Sequence, residues 1–166
     1  MTIRAVVLAD THVRAGRPRR LPEAAYRLLD RATVILHAGD VVDDSLLSTL
    51  SSIAPTYAVL GNNDQALTGA LPTTRQLEFD GVPVAMVHDS GPRPGRAGRL
   101  HRRFPDAAVV VFGHSHIPVD EGGLDGQQLF NPGSPTERRS QPHHTVGVLD
   151  LADGRVRDHR IVVVGP

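Results

Sequence analysis

Short apolar runs alternate with polar, glycine- and proline-rich segments along most of the chain. Apolar runs of this length that end at turn-forming residues are typical of buried β-strands. Strands are predicted over Ile3–Ala9, Thr33–His37, Thr56–Leu60, Val82–Val87, Ala108–Phe112, Ile117–Asp120, Gln127–Phe130, Thr145–Leu151 and Val156–Val164.

The segments between these strands include three with helical character. Helices are predicted over Pro22–Arg31, Ser45–Ser52 and Arg96–Arg103. Pro22 suits the first turn of a helix, Asp44 is predicted to cap the second helix through its side-chain oxygen, and Pro105 ends the third. Strands separated by helices in the first two-thirds predict largely parallel pairing, whereas the Asp153-Gly154 turn predicts an antiparallel or mixed sheet in the last third. The expected fold class is α/β with two sheets.

Length and composition narrow the range of functions. The 166 residues predict a single domain, 1–166, and the 18 basic and 18 acidic residues cancel to zero net charge. A neutral chain is not expected to hold nucleic acid or an anionic membrane by bulk charge. The chain has no cysteine, which excludes thiolate catalysis and cysteine-ligated metals. With neither a signal-peptide pattern nor a membrane-spanning stretch, a cytoplasmic location is expected.

Side chains that bind metals follow five of the predicted strands. The five blocks are Asp10-Thr11-His12, Gly39-Asp40, Gly61-Asn62, His88 and Gly113-His114-Ser115-His116. Any one of them alone is ordinary turn chemistry. Functional sites in α/β sheets form beyond the carboxyl ends of strands, so side chains from neighbouring strands converge there. Five such blocks in one small domain predict a metal centre.

The donor set indicates more than one metal ion. The candidate ligands are Asp10, His12, Asp40, Asn62, His88, His114 and His116. Seven ligands exceed the three or four that a single catalytic zinc takes from a protein, and a carboxylate that bridges two ions would account for the excess. Mixed imidazole and oxygen donors suit transition metals better than Mg or Ca. Two divalent ions are therefore expected. The donor set does not choose among Mn, Fe, Zn, Co and Ni, of which Mn is the favoured candidate.

In this order, the five blocks resemble the signature of the calcineurin-like metallophosphoesterases, in particular the small single-domain phosphodiesterases of bacteria and archaea. The resemblance spans residues 1 to about 135 and ends on the Asn131–Ser134 turn. It implies a mixed two-sheet β-sandwich flanked by helices. It also implies one ion on Asp10, His12 and His116, a second ion on Asn62, His88 and His114, and Asp40 as the bridge between them.

The expected activity is hydrolysis of a small phosphodiester. Two ions activate a water, so the nucleophile is expected to be a metal-bridging hydroxide. Many members of the family place a histidine after the metal-binding asparagine, where it protonates the leaving group, but this chain has Asn63 there. Asn63 can hydrogen-bond a phosphoryl oxygen but cannot act as an acid, so it is predicted to contact substrate. Arg138, after the last turn, is a second predicted substrate contact.

Several alternatives stay open. The arginines of the Arg93–Arg103 segment could bind phosphate, but a solvated helix face is the favoured interpretation. His37 is expected in the core, His143 and His144 at the surface, and His101 and His159 in solvent. A binding scaffold with the same fold, a nucleotide phosphohydrolase, a phosphomonoesterase and a nuclease are the competing functions. A homo-oligomer is also left open.

Overall fold

The computed structural model describes all 166 residues, in ten strands and three α-helices. The strands are β1 Ile3–Leu8, β2 Val34–His37, β3 Thr56–Ala58, β4 Thr74–Phe79, β5 Val82–Val87, β6 Val109–Val111, β7 Val119–Gly122, β8 Gln128–Asn131, β9 His144–Ala152 and β10 Arg155–Gly165. The helices are α1 Glu23–Leu29, α2 Asp44–Ile53 and α3 Arg96–Arg103, with 3₁₀ turns at Gln65–Leu67 and Leu124–Gly126.

The strands form two mixed sheets of five strands each. The first has the order β10-β9-β1-β2-β3 and the second β4-β5-β6-β8-β7. Within the first sheet β1, β2 and β3 are parallel, and within the second β5, β6 and β8 are parallel. Antiparallel strands complete both sheets, as the turn signals in the last third predict.

Three layers of apolar side chains hold the sheets and helices together. The largest, with 15 buried residues, fills the space between the two sheets and includes Met86 and Phe130. A second layer packs α1 and α2 on the outer face of the first sheet through Leu29 and Leu50. A third packs α3 on the second sheet through Leu100. The predicted fold class, a two-sheet mixed sandwich flanked by helices, is confirmed.

The structure corrects three details of the sequence-based prediction. Strand β4 was not predicted, because its exposed edge position lets polar residues alternate with Leu77 and Phe79. The cap of α2 is Asp43 rather than Asp44: the Asp43 backbone is extended and its side chain accepts a hydrogen bond from Ser45 N, while Asp44 is already helical. Strand β7 begins at Val119, two residues later than predicted. The third helix has the predicted bounds.

None of the helices has both the length and the apolar character that a membrane span requires.

Candidate metal centre

All five predicted blocks lie where parallel strands end. Asp10, Asp40 and Asn62 follow β1, β2 and β3 of the first sheet. His88 follows β5 of the second sheet, and the His114-Ser115-His116 segment follows β6. The side chains of the two sheets face one another across this edge, so the structure brings together all seven residues that the sequence singled out.

Five of the seven residues have a left-handed backbone, which L-amino acids other than glycine rarely adopt. The φ angles are 54° at Asp10, 46° at His12, 58° at Asp40, 71° at His114 and 62° at His116. Backbone hydrogen bonds hold two of these turns: Asp10 N donates to Gly39 O at 3.0 Å and His12 N to Asp40 O at 3.1 Å. Backbone strain of this kind concentrates at functional sites, where the surrounding structure maintains it.

This backbone also determines how the two histidines of the last block reach the centre. Alternate residues leaving an extended strand would point the same way. With both residues left-handed, His114 faces Asn62 while His116 faces Asp10. The two histidines therefore serve different halves of the centre.

The first half, the inner group, consists of Asp10, His12 and His116. Their potential ligand atoms lie within 4.8 Å of one another, and His116 Nε2 is 3.7 Å from Asp10 Oδ1. Asp10 is 0% exposed and His116 is 1% exposed.

The second half, the outer group, consists of Asn62, His88 and His114. Asn62 Oδ1 is 2.9 Å from His88 Nε2 and 3.2 Å from His114 Nδ1. The His114 side chain is 46% exposed, so this half opens to solvent.

Asp40 lies between the two groups. Its Oδ2 is 3.4 Å from His12 Nε2 and 3.5 Å from His88 Nε2, one histidine from each half. Asp10 is also central, because its Oδ1 is 3.9 Å from His88 Nε2. Two carboxylates thus sit within reach of the histidines of both halves.

Hydrogen bonds fix which nitrogen of two rings is free to bind a metal. His88 Nδ1 donates to Ala38 O at 2.7 Å, and His116 Nδ1 donates to Glu137 O. A carbonyl only accepts, so Nδ1 carries a proton in both rings and Nε2 is the nitrogen that faces the centre. Metal-binding histidines are held in this way in most proteins.

Several polar atoms in the centre are buried without any hydrogen-bond partner. They are both carboxylate oxygens of Asp10 and the Nε2 atoms of His12 and His116. Buried polar atoms without partners are rare, because each costs about 1–3 kcal/mol. None of the four accepts a hydrogen bond from a protein group, and each can donate a lone pair to a cation. The residues present therefore fit divalent metal ions.

The local electrostatics point the same way. Burial, reinforced by the negative charge of Asp40, raises the pKa of Asp10 to about 7. Burial also lowers the pKa values of His12 and His116, which keeps both rings neutral, the form that binds metal. Burial alone would raise the pKa of Asp40, but hydrogen bonds from His88 and Asn63 outweigh it and hold that pKa below its usual range. A bound cation would relieve the cost of ionising Asp10.

Asp64, which the sequence analysis left without a role, connects two of the blocks. It is 1% exposed, and its carboxylate accepts hydrogen bonds from the backbone nitrogens of Asp40, Val42 and Gly61 at 2.9, 2.6 and 2.7 Å. These contacts fix the turn after β2 against the turn after β3. Only the carboxylate two residues after a candidate ligand, in the Asn62–Asp64 run, signals this in the sequence.

Two glycines allow the blocks to approach so closely. A β carbon on Gly61 would collide with the backbone of Asp40. One on Gly39, whose φ is +97°, would lie 2.5 Å from His88 Nδ1. Any side chain at either position would push Asp40 or His88 out of the centre.

Of the two predicted substrate contacts, Asn63 adjoins the centre. Its backbone N and its Nδ2 donate to the Asp40 carboxylate at 2.9 and 2.8 Å. The Arg138 guanidinium instead donates to the carbonyls of Arg139 and Gln141 in its own turn. Burial has the largest effect on the pKa values of Asp10, His12 and His116, and the positive charge of Arg139 is among the lesser influences on all three. Contact of Asn63 or Arg138 with substrate stays a prediction.

The Arg93–Arg103 segment is largely engaged with the protein itself. Arg99 donates to the carbonyls of Ser90, Pro92 and Pro94. Arg96 lies 5.1 Å over the Phe112 ring. These two arginines contact the protein itself, so the interpretation as a solvated helix face is wrong for Arg96 and Arg99.

The remaining histidines are placed largely as the sequence indicated. His37 is fully buried: its Nδ1 accepts from Gly39 N and its Nε2 lies 2.9 Å from Thr11 Oγ1. His101 and His159 pair with Asp125 and Asp120 at the surface. His143 is exposed and His144 hydrogen-bonds the carbonyl of the last residue.

Sequence reasoning missed a second arginine-rich segment. Arg14, Arg17, Arg19 and Arg20 lie within seven positions, directly after His12. The signal that could have found this segment is the number of arginines in so short a stretch close to the candidate ligand His12.

Comparison with known proteins assigns the family. Residues 3–154 match the model of the calcineurin-like phosphoesterase superfamily domain. A probable metallophosphoesterase of Methanothermobacter thermautotrophicus is 33% identical over 162 residues, which cover 96% of this chain and 91% of that protein. The chain therefore belongs to the calcineurin-like phosphoesterase superfamily.

Solved structures of similar fold include an archaeal phosphodiesterase and Vps29 proteins. A novel archaeal phosphodiesterase is 19% identical with a TM-score of 0.72, covering 97% of this chain and 99% of that one. Vps29 of Entamoeba histolytica, in complex with Zn²⁺, is 20% identical with a TM-score of 0.73, covering 98% and 100%. At these identities the likeness shows the fold alone.

Proposed function

We propose that this protein is a phosphodiesterase that depends on two divalent transition-metal ions, with Mn favoured. The observation that carries the proposal is the convergence of seven donor side chains, four atoms of which are buried without partners. The inner group would hold one ion, the outer group the other, and Asp40 would be shared. Small phosphoesters are the proposed substrates.

Two divalent ions, when bound, activate a water and neutralise the charge that develops on the phosphoryl oxygens. The chain provides neutral imidazoles at His12 and His116, because burial lowers their pKa values. It also provides an ionised Asp40, held by Asn63. Two ions contribute +4 and the carboxylates of Asp10 and Asp40 subtract two, which leaves +2 in a chain of zero net charge. An anionic substrate is attracted by this local charge.

The absence of an acid at position 63 determines the expected leaving-group preference. Because a carboxamide cannot donate a proton as an acid, the enzyme should favour esters whose leaving group departs unprotonated. We expect p-nitrophenyl phosphodiesters to react far faster than alkyl phosphodiesters across pH. Equal rates on the two classes would show that another group supplies the proton.

The main test is hydrolysis of bis(p-nitrophenyl) phosphate with Mn, Co, Ni, Zn and Mg. Asp40→Ala should lose at least about a thousandfold in kcat/KM, since the metal centre supplies several kcal/mol of charge stabilisation. Asp106→Ala is the matched control, because Asp106 is exposed and its side chain forms no hydrogen bond or ion pair. Activity that survives Asp40→Ala would remove the proposed bridging role.

A binding scaffold with the same fold is the second candidate, favoured by the structural likeness to Vps29, a vacuolar sorting protein by name. Metal binding does not separate the two functions, because one Vps29 structure itself carries Zn²⁺. Hydrolysis does separate them. No turnover of any phosphoester with metal bound at the centre would favour the scaffold.

A further inference from the structure

A positively charged surface lies beside the candidate metal centre. We name the segment Arg14–Arg20, which carries four arginines and no acidic residue, the basic loop. All of its residues are exposed. Of its four guanidinium groups only that of Arg19 forms an ion pair, with Glu137 at 3.5 Å. Arg14, Arg17 and Arg20 make no side-chain hydrogen bond.

The basic loop is nonetheless held in place against the centre. Ala15 N donates to Asp43 Oδ2 at 3.0 Å, which ties the loop to the start of α2. Arg17 N donates to Arg14 O at 3.2 Å, which closes a turn around Gly16 at φ +72°. Glu137 links the far end to the centre, because its Oε2 is 3.5 Å from Arg19 Nη1 and 3.8 Å from His12 Nε2. The backbone of a loop fixed in this way loses little conformational freedom when its side chains bind a ligand.

The loop and one candidate ligand of the centre, His12, line the same cavity. A space of about 450 Å³ is lined by His12, Arg14, Arg17, Pro18 and Arg19. Four of these residues, from Arg14 to Arg19, also line an adjoining space of about 640 Å³ that extends to Tyr26 on α1 and Leu46 on α2. A ligand with one end at His12 would therefore extend along free guanidinium groups.

The arginines of the Arg93–Arg103 segment differ from those of the basic loop in their partners. Arg99 donates to carbonyls, and Arg96 stacks on the Phe112 ring and lies 4.0 Å from Glu121. The cavity that Arg96 lines contains no candidate metal ligand. Arg14 and Arg17 have no such partner and line a cavity with a candidate metal ligand. Guanidinium groups bind phosphate strongly and often through two parallel hydrogen bonds.

We infer that the basic loop binds a second phosphate group of the substrate, so that preferred substrates carry one phosphate at the metal centre and another against Arg14 and Arg17. This inference rests on the proposed function and narrows its substrate class to phosphoesters with at least two phosphate groups. It also assigns a direction to the substrate, which leaves the inner group past His12 toward α1 and α2.

The first test measures binding without metal or turnover. The probe is tripolyphosphate, titrated by calorimetry in EDTA at low salt into the metal-free protein. The wild type should bind it, and the double variant Arg14→Gln/Arg17→Gln should bind at least about tenfold more weakly, because hydrogen bonds between charged groups are strong. The control Arg31→Gln/Arg155→Gln removes two exposed arginines elsewhere and should stay within about twofold. Equal weakening in both double variants, or none in the loop variant, would overturn the inference.

The second test uses two substrates with the same scissile bond. Thymidine 5′-(p-nitrophenyl phosphate) carries one phosphate, and its 3′-phosphorylated form carries two. The Mn-loaded wild type should prefer the second substrate at least about tenfold in kcat/KM, and Arg14→Gln/Arg17→Gln should remove most of that preference. A preference that persists in the variant, or equal losses on both substrates, would overturn the inference.

The two arms separate this inference from the proposed function. If the wild type hydrolyses neither substrate but tripolyphosphate binding depends on Arg14 and Arg17, hydrolysis fails and the phosphate site stands. If both substrates are hydrolysed without any effect of the loop variant, hydrolysis stands and the second phosphate site fails. Binding of a single-stranded oligonucleotide can be measured with the same variants. If Arg14→Gln/Arg17→Gln weakened only that binding and left tripolyphosphate binding unchanged, the inference would also be contradicted.

Discussion

The two halves of the centre satisfy their polar atoms in different ways. In the outer group, Asn62 Oδ1 lies within hydrogen-bond distance of both histidines, and His114 also reaches solvent. In the inner group, Asp10 is fully buried with both oxygens unpartnered, and the Nε2 atoms of His12 and His116 are unpartnered as well. The comparison teaches that the inner group gains more from a bound cation, because its buried polar atoms have no other partner, whereas the outer group has contacts of its own. We therefore expect the inner ion to bind more tightly.

The largest expected effect comes from removing the charge of the inner group. Asp10→Asn keeps the shape of the side chain but removes the carboxylate that lies near histidines of both halves. We expect kcat/KM for bis(p-nitrophenyl) phosphate to fall about a thousandfold, since several kcal/mol of metal-dependent stabilisation is lost. Activity within tenfold of wild type would show that the inner group is dispensable.

The same substitution should have the opposite sign on the stability of the metal-free protein. Burial raises the pKa of Asp10 from 3.8 to about 7, so the folded state holds its proton more firmly than the unfolded state. This contribution to stability is complete below about pH 4 and is lost as the pH rises through 7. In EDTA at pH 8, Asp10→Asn should thus be more stable than wild type by a few kcal/mol. Urea unfolding between pH 4 and 8 checks this, and parallel pH profiles for the two proteins would contradict it.

A smaller loss is expected where the two halves are joined. Asp64→Asn replaces one carboxylate oxygen by an amide nitrogen, which cannot accept a hydrogen bond. The side chain can then no longer accept from all three of Asp40 N, Val42 N and Gly61 N. We expect the free energy of unfolding to fall by about 2–3 kcal/mol, because these are buried hydrogen bonds to a charged group. Chemical denaturation measures the change, and Asp44→Asn on the exposed side of α2 is the matched control. An unchanged unfolding midpoint would mean that the turns hold their positions without Asp64.

The smallest effect is expected in the outer group. His114→Ala removes a ligand whose side chain is 46% exposed, so water can replace it. We expect about a tenfold loss in kcat/KM, at the lower end of the effects of altering residues around a metal. His12→Ala, which alters the inner group, should cost much more. If the two variants lose activity equally, the distinction between the halves is wrong.

The sequence predicted the site better than it predicted the means of assembling it. Residues such as Asp10 and His88 follow apolar runs, and that local pattern suffices to place them at the ends of strands. Which ligands face one another depends on left-handed backbone at His114 and His116, and no local pattern reports it. The bonds of Asp64 to the turn after β2 join residues far apart in sequence, so they too appear only in the folded chain.

The same limit explains why one arginine-rich segment was missed and the other was wrongly interpreted as solvated. Arg14–Arg20 and Arg93–Arg103 are alike in composition, yet one lines a cavity beside His12 and the other is engaged with carbonyls and Phe112. Composition shows how many guanidinium groups a segment carries but not which of them already have partners. Strand β4 was missed for a related reason: at a sheet edge, pairing with β5 compensates for a weak apolar pattern.

Metal stoichiometry tests the central claim most directly. Equilibrium titration of the EDTA-stripped, dialysed protein with Mn, followed by elemental analysis, should give two ions per chain that bind in two steps. Asp10→Asn should lose the tighter step, and His114→Ala should weaken only the looser one. One ion or none in the wild type, or two ions retained at unchanged affinity in Asp10→Asn, would contradict a dinuclear centre built on these residues.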